Sequence, residues 1–409
     1  MLNALWLLFF VAAFASALYQ WLVRGNEAIF STLMQATFDM AALSVEIAIG
    51  LIGVLCLWLG LFKIAEQSGL INILSRLLAP LFVRLMPEVP RGHAAHGSIT
   101  MNIAANMLGL DNAATPMGLK AMRDLQELNP LRDTASNAQI LFLVLNTSSV
   151  TLLPVTIFMY RAQQGAAEPT AVFIPILLAT AASTVTGLLA VAWVQKINLF
   201  NKVVLVYFAG FVLLLSALAS YLVGLPAEQM AARSGLLGNL ILFSLIMLFL
   251  VYGWRKQVNV YDAFIDGARQ GFDIAVHLIP YLVAMLVAIG VLRASGVLDA
   301  LVDGAAVTVA ALGLNSDFVQ ALPTALMKPL SGSGARAMML ETMNHYGVDS
   351  FPATVAAIMQ GSTETTFYVL AVYFGSVGIR HVRHALGCAL LADAAGITVA
   401  ILAGYWFFH

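Results

Sequence analysis

Two polar knots interrupt otherwise apolar segments of this chain. One reads Gln360-Gly361-Ser362-Thr363-Glu364-Thr365 and the other Asn146-Thr147-Ser148-Ser149-Val150-Thr151. Amide, hydroxyl and carboxylate groups gathered this way can hold a polar solute, a proton or a coupling cation. Gly361 lets the backbone unwind, and Pro154 removes an N–H just after the first knot. A broken helix frees N–H and C=O groups, which persist in a membrane only where they face protein or water. The competing reading is helix–helix glue, since Ser and Thr pack and hydrogen-bond between membrane helices. Five polar residues in six positions, one of them Glu364, favour a binding site over glue.

Two further segments are interrupted. Residues 98–123 carry Asn102 and Asn106 four apart, on one helix face, then Asp111 and Asn112 after Gly109. Either Asp111 or Asn112 suits the cap of a half-helix that Thr115 and Pro116 continue. In the second half of the chain, Lys328-Pro329-Leu330-Ser331-Gly332-Ser333-Gly334-Ala335-Arg336 takes the same place. There Ser331 and Ser333 would open a helix N-terminus that presents free N–H groups to an anion, with Lys328 and Arg336 adding positive charge. Ordinary caps and snorkelling bases are the plainer account. Glu46 and Asp393 are isolated carboxylates inside apolar runs and are weaker candidates.

The elements that position these groups must be membrane helices. Of 409 residues, 61% are hydrophobic and 10% charged, against about 25% charged in a soluble domain. Lys+Arg is 20 and Asp+Glu 21, so no basic excess exists to bind nucleic acid. The apolar runs are continuous, not the alternating ~10-residue segments of a membrane barrel. Clear helical candidates are 2–23, 38–63, 136–160, 170–195, 203–225, 234–254, 262–292, 352–376 and 382–407. Segments 69–87, 98–123, 297–313 and 318–344 are short or interrupted. The expectation is an all-α polytopic membrane protein with about 10–13 membrane segments. The count falls to nine or ten if the weak segments dip in and return. Residues 2–23 lack a basic n-region and read as a retained helix.

An internal repeat is visible. Phe38-Asp39-Met40-Ala41 pairs with Phe272-Asp273-Ile274-Ala275, and Ser68-Gly69-Leu70 with Ser295-Gly296-Val297. Each copy continues as about five helical elements. The division expected is an N-terminal helix and link (1–37), a first repeat (38–196), linker helices (197–261) and a second repeat (262–409). Lys120, Arg123 and Arg132, then Lys196 and Lys202, then Arg255 and Lys256, then Arg380 and Arg383 mark cytoplasmic loops by the positive-inside rule. Those positions make the repeats inverted, with the N-terminus cytoplasmic and the C-terminus outside. Inverted repeats with broken helices are an architecture of secondary transporters.

No P-loop, Gly-x-Ser-x-Gly elbow or His-Glu-x-x-His helix is present, and Cys56 and Cys388 are lone apolar-segment cysteines. The chain is expected not to be an enzyme.

The run Met359-Gln360-Gly361-Ser362-Thr363-Glu364-Thr365-Thr366-Phe367-Tyr368, with Leu330 to Arg336, resembles the spore maturation protein B family. The run Met101 to Pro116, with Leu145-Asn146-Thr147-Ser148-Ser149, is similar to spore maturation protein A. The whole chain resembles an A–B fusion. Both belong to the nucleoside-recognition, or gate, superfamily. Its concentrative nucleoside transporters contact substrate through a Gly-Gln-Thr-Glu hairpin. Thr363 and Glu364 match its Thr-Glu, while the Gly-Gln order is reversed here.

The reading that combines these features is a secondary transporter of a small polar or anionic metabolite, nucleoside-like or carboxylate-like. Its partners would be that solute and the lipid bilayer, with a homo-oligomer left open. No cofactor is expected beyond a coupling Na+ or H+. The location expected is the bacterial cytoplasmic (inner) membrane. The alternative is a non-transporting scaffold for envelope or spore maturation.

Overall fold

The computed structural model describes residues 2–108, 111–148 and 151–409, with the backbone alone at Leu2, Asp111, Asn112, Ala113 and Ala219. No strand forms among the described residues; one isolated bridge joins Thr134 and His381. The helices are α1 (Leu2–Arg24), α2 (Ile29–Gln67), α3 (Leu70–Leu85), α4 (Ala94–Met107), α5 (Asp111–Glu127), α6 (Asn137–Thr147), α7 (Val155–Gln163), α8 (Phe173–Gln195) and α9 (Lys202–Leu222). They continue as α10 (Ala227–Arg255), α11 (Val260–Ala294), α12 (Val297–Ala311), α13 (Leu322–Met327), α14 (Gly332–Tyr346), α15 (Phe351–Gly361), α16 (Thr366–Gly375) and α17 (Ala385–Phe408). Seven of them, α1, α2, α8, α9, α10, α11 and α17, are long and apolar enough to cross a membrane. The protein is a multi-pass membrane protein.

The two repeats share one element order: long helix, left-handed glycine, short helix, hairpin, broken helix, long helix. Gly69 and Gly296 sit at φ 76° and 74°, a conformation glycine adopts without a Cβ penalty. Each turns a long helix into a short one, α2 into α3 and α11 into α12. Ser136 and Ser350 then cap the first half of each broken helix, accepting from Gln139 N and Ala353 N.

Equivalent long helices run antiparallel. In α2 and α11, Gly60 lies against Phe264, Gly271 against Cys56 and Gly290 against Met40. In α8 and α17, Gly187 lies against Ala392 and Gly396 against Ser183. Inverted repeats require this arrangement. Small residues let the backbones approach, which substitutes for a hydrophobic driving force inside lipid. At 39 residues, α2 is about 58 Å long, roughly twice the ~30 Å hydrocarbon thickness. It must therefore tilt or project from the membrane.

One alternative is settled and one expectation needs correction. Residues 98–123 do not form one crossing helix. Ser98 Oγ donates to Asp124 Oδ2 at 2.7 Å and Asn102 Nδ2 to the Ala114 carbonyl at 2.7 Å. Those pairings make α4 and α5 the antiparallel arms of a hairpin. Residues 317–346 form the second hairpin, with α13 packed on α14. Among the described residues the passes are therefore the seven long helices plus the broken helices α6/α7 and α15/α16. That total of nine is the count expected if the weak segments dip in and return, because polar hairpins turn back where an apolar helix would continue.

The correction concerns the repeat register. Aligning the two left-handed glycines pairs Met40 with Gly267 and Lys63 with Gly290. Each copy then makes the same contact with its partners exchanged: Gly267 lies on Lys63, and Gly290 on Met40. The Phe38/Phe272 match is displaced from this register by two helical turns, and Asp266 is the residue equivalent to Asp39.

The basic loops gather at one end. Gln195 reaches His384 and the Asn137 carbonyl, both at 3.0 Å, and the Arg380 and His381 N–H groups donate to the Asp133 carbonyl. At the other end Arg161 pairs with Asp349 at 3.1 Å, and Thr170 donates to the Gly235 carbonyl. Helix α1 lies parallel to α11, with Trp6 on the Ala284 carbonyl and Gln20 on the Ser295 carbonyl.

Candidate functional site at two broken helices

The two knots meet. The Glu364 N–H donates to the Thr147 carbonyl at 2.8 Å, joining the two breaks through the backbone. Each hairpin tip also bonds to the break in its own repeat, and the two bonds are equivalent. The Leu152 N–H donates to the Met107 carbonyl at 3.0 Å, and the Phe367 N–H to the Pro329 carbonyl at 2.9 Å. Four helix N-termini (α5, α7, α14, α16) and four C-termini (α4, α6, α13, α15) thus converge on one zone. Their free peptide groups offer partial positive and negative charge to a ligand without a full charge being buried.

Ser362 and Thr363 are buried at the end of α15, and Ser362 Oγ donates to the Met359 carbonyl. Glu364 is exposed. A carboxylate at the break of a membrane helix is stable only where it faces water or a partner. Gln360 is buried, and its Oε1 has no hydrogen-bond partner. Thr147 and Ser148 are fully buried, and the Ser148 carbonyl accepts from Thr184 of α8. Ser149 lies outside the described residues, as do the side chains of Asp111 and Asn112.

Asn102, Asn106 and Asn146 form one closed network. Asn106 Nδ2 donates to Asn146 Oδ1, and Asn146 Nδ2 to Asn102 Oδ1, both at 2.8 Å. The Tyr373 hydroxyl closes it, 3.4 Å from Asn102 Nδ2 and 3.5 Å from Asn146 Oδ1. The Tyr373 ring stacks on Phe142 at 5.9 Å. Sequence reasoning missed Tyr373. Its signal was the second of two tyrosines, after Tyr368, in an apolar half-helix, eight residues after the knot.

Ser331 caps α14 by accepting from Gly334 N at 3.0 Å, and its Oγ lies 3.2 Å from Ser333 Oγ. Gly332 fits under Thr365, whose Oγ1 would stand 2.7 Å from an added Cβ. Arg336 departs from this group. Its guanidinium covers the Tyr160 ring at 5.4 Å. It lines a cavity of about 350 Å³ with Trp58, Lys63, Gln270 and Thr156. So Ser331 and Ser333 stand at the hairpin tip, whereas Arg336 faces the groove between α2, α7 and α11. Glu46 is exposed on α2 and meets neither knot.

The nucleoside-recognition (gate) family model matches residues 48–164 and 275–380, one stretch in each repeat. The chain belongs to the nucleoside-recognition gate family. It is 46% identical over 153 residues to spore maturation protein B of Bacillus subtilis (strain 168), covering 37% of this chain and 84% of that protein. It is 40% identical over 190 residues to spore maturation protein A of the same strain, covering 46% of this chain and 93% of that protein. Two separate proteins therefore correspond to one chain here, as an A–B fusion requires. No solved structure matches. Within this gate-family fold, both family stretches end short of α8 and α17, the antiparallel pair that backs the two breaks.

Proposed function

We propose that this gate-family chain is a secondary transporter of a small polar or anionic metabolite in the bacterial cytoplasmic membrane. The observation that carries this reading is the Glu364–Thr147 backbone bond. It brings two broken helices from inverted repeats to a common zone, with an exposed carboxylate at their meeting point. Broken helices cost stability that a purely packing protein has no reason to spend. Helix N-termini from both hairpins supply donors for phosphate, carboxylate or carbonyl oxygens. The solute would sit between the hairpin tips and the knots, contacted by Asn106, Ser331, Ser333, Gln360 and Glu364, and no enzymatic step is assigned.

The closed Asn102–Asn106–Asn146–Tyr373 network supports the second reading, a membrane scaffold. Its groups satisfy one another and leave little for a ligand. The two readings separate in one experiment. Purified protein is melted against a panel of nucleosides, nucleotides and carboxylates, and any stabilising compound is then tested for uptake into proteoliposomes. Saturable stabilisation followed by uptake supports transport. Stabilisation by no member of the panel, with no uptake, favours the scaffold.

A further inference from the structure

Asp393 lies on α17, outside both family stretches and outside the knots, and is only 2% exposed. Its Oδ2 accepts from Thr366 Oγ1 at 2.6 Å, whereas Oδ1 has no hydrogen-bond partner. A carboxylate has about four acceptor sites, so most of its capacity is unused. Its equivalent in the first repeat, with Gly187 matched to Gly396 because each makes the same contact with partners exchanged, is Thr184, which donates to the Ser148 carbonyl. The repeat symmetry breaks here in favour of a negative charge.

The surroundings are oxygen-rich and equally under-satisfied. Thr363 Oγ1 lies against the Asp393 carboxyl without completing a hydrogen bond, and Ser183 Oγ has no partner either. Thr363 is 4% exposed and Ser183 is fully buried. These groups meet where Gly396, one turn after Asp393, lets α17 approach α8 and the end of α15 closely. A Cβ there would stand 2.9 Å from Thr363 Cγ2, 3.1 Å from Ser183 Cβ and 3.3 Å from the Ser362 carbonyl oxygen. Ser362 ends α15, so the negative end of that half-helix points into the same place.

A buried carboxylate, two unpaired hydroxyls and a helix C-terminus attract positive charge. Among the described residues, Lys328 and Glu364 are the charged groups within electrostatic reach, and they oppose one another. No group of three or more His, Cys, Asp or Glu side chains gathers among the described residues, which excludes a transition-metal cage there. A divalent ion would leave excess positive charge in the membrane interior against this one carboxylate.

We propose that Asp393, Thr363, Ser183 and the Ser362 carbonyl form a site for a small monovalent cation of the Na+ class, at the junction of α8, α15 and α17. Such a site behind the Glu364 break is placed to couple ion occupancy to the knot. That coupling rests on the transport reading; the cation site itself does not.

The test is thermal melting of the full chain in detergent, without added solute, in NaCl against choline chloride at equal ionic strength. Na+ should raise the melting temperature saturably. Asp393→Asn keeps an acceptor for Thr366 but removes the charge, and should abolish the Na+ shift without lowering the melting temperature in choline. Thr363→Val, which retains shape, should weaken the apparent Na+ affinity about tenfold and covers the case in which Asp393→Asn fails to fold. A wild-type protein indifferent to Na+, including one that responds to pH alone, overturns the site, as does an undiminished shift in Asp393→Asn. Na+ stabilisation without uptake of any solute would sink the transport reading and leave the cation site standing. Solute uptake with no response to Na+ would do the reverse.

Discussion

Glu364 and Thr147 are joined through their backbones at 2.8 Å, a bond that does not engage the Glu364 side chain. Its neighbours in the knot, Ser362, Thr363 and Thr365, are buried, and Glu364 alone is exposed. The scaffold therefore holds the main chain, and the carboxylate is available for a solute or ion.

Glu364→Gln follows directly. The substitution preserves shape and the Thr147 bond, so stability should change by no more than about 0.5 kcal/mol, as for an exposed position without a partner. Uptake in proteoliposomes should fall at least tenfold if the charge serves the solute or a coupling ion. Unchanged uptake and an unchanged melt together would remove Glu364 from the mechanism.

Asn146 makes the opposite case. It is 3% exposed and engages both Asn102 and Asn106. Asn146→Ala strands an acceptor on Asn102 and a donor on Asn106. A buried group left unpaired costs about 1–3 kcal/mol, so the melting temperature in detergent should drop by several degrees. Asn146→Ala melting like wild type would mean that water replaces the lost partners and that the network opens to solvent.

The contrast between these residues shows what the sequence could carry. Spacing alone placed Asn102 and Asn106 on one face, and five polar residues in six positions announced a break near Glu364. Charge placement predicted repeats of opposite direction, and α2 with α11 and α8 with α17 do run antiparallel. Spacing could not say that 98–123 folds back on itself, since a hairpin and a polar crossing helix have the same composition. Nor could it say that Arg336 leaves the knot for Tyr160. That depends on where α7 of the other repeat lies. Asp393 looked like a lone buried acid because its neighbours Thr363 and Ser183 come from elements distant in sequence.

The α2–α11 crossing supports a prediction about two equivalent contacts that differ in rigidity. At Gly267 an added side chain meets Gly60 Cα at 2.9 Å and Lys63 Cβ at 2.7 Å, backbone and stem that cannot move aside. At Gly290 the obstacle is one Met40 side chain, its Cγ nearest and its Sδ at 3.2 Å, with no backbone atom among the nearest contacts, and methionine repacks readily. Gly267→Val should cost about 1–3 kcal/mol or more by overpacking and yield aggregated protein on size exclusion. Gly290→Ala should remain monodisperse with a near-native melt. Equal tolerance at both positions would mean that the helices do not cross where these contacts put them.

The orientation of the whole fold can be checked on intact cells. Residues Arg132 and Lys256 are exposed at the basic end, and Ala167 and Glu228 at the other. Lys and Arg concentrate on the cytoplasmic side because translocating them is unfavourable. With Cys56 and Cys388 replaced by alanine, single cysteines at Ala167 and Glu228 should react with a membrane-impermeant thiol reagent added outside. Cysteines at Arg132 and Lys256 should react only after the membrane is permeabilised. Both hairpins make this test informative. Because 98–123 turns back, Arg132 lies on the same side as the end of α2, and a crossing helix there would have put the two on opposite sides. External labelling of Arg132→Cys with protection of Ala167→Cys would invert the assignment. Labelling of Arg132→Cys and Lys256→Cys from opposite sides would break the hairpin-and-crossing count itself.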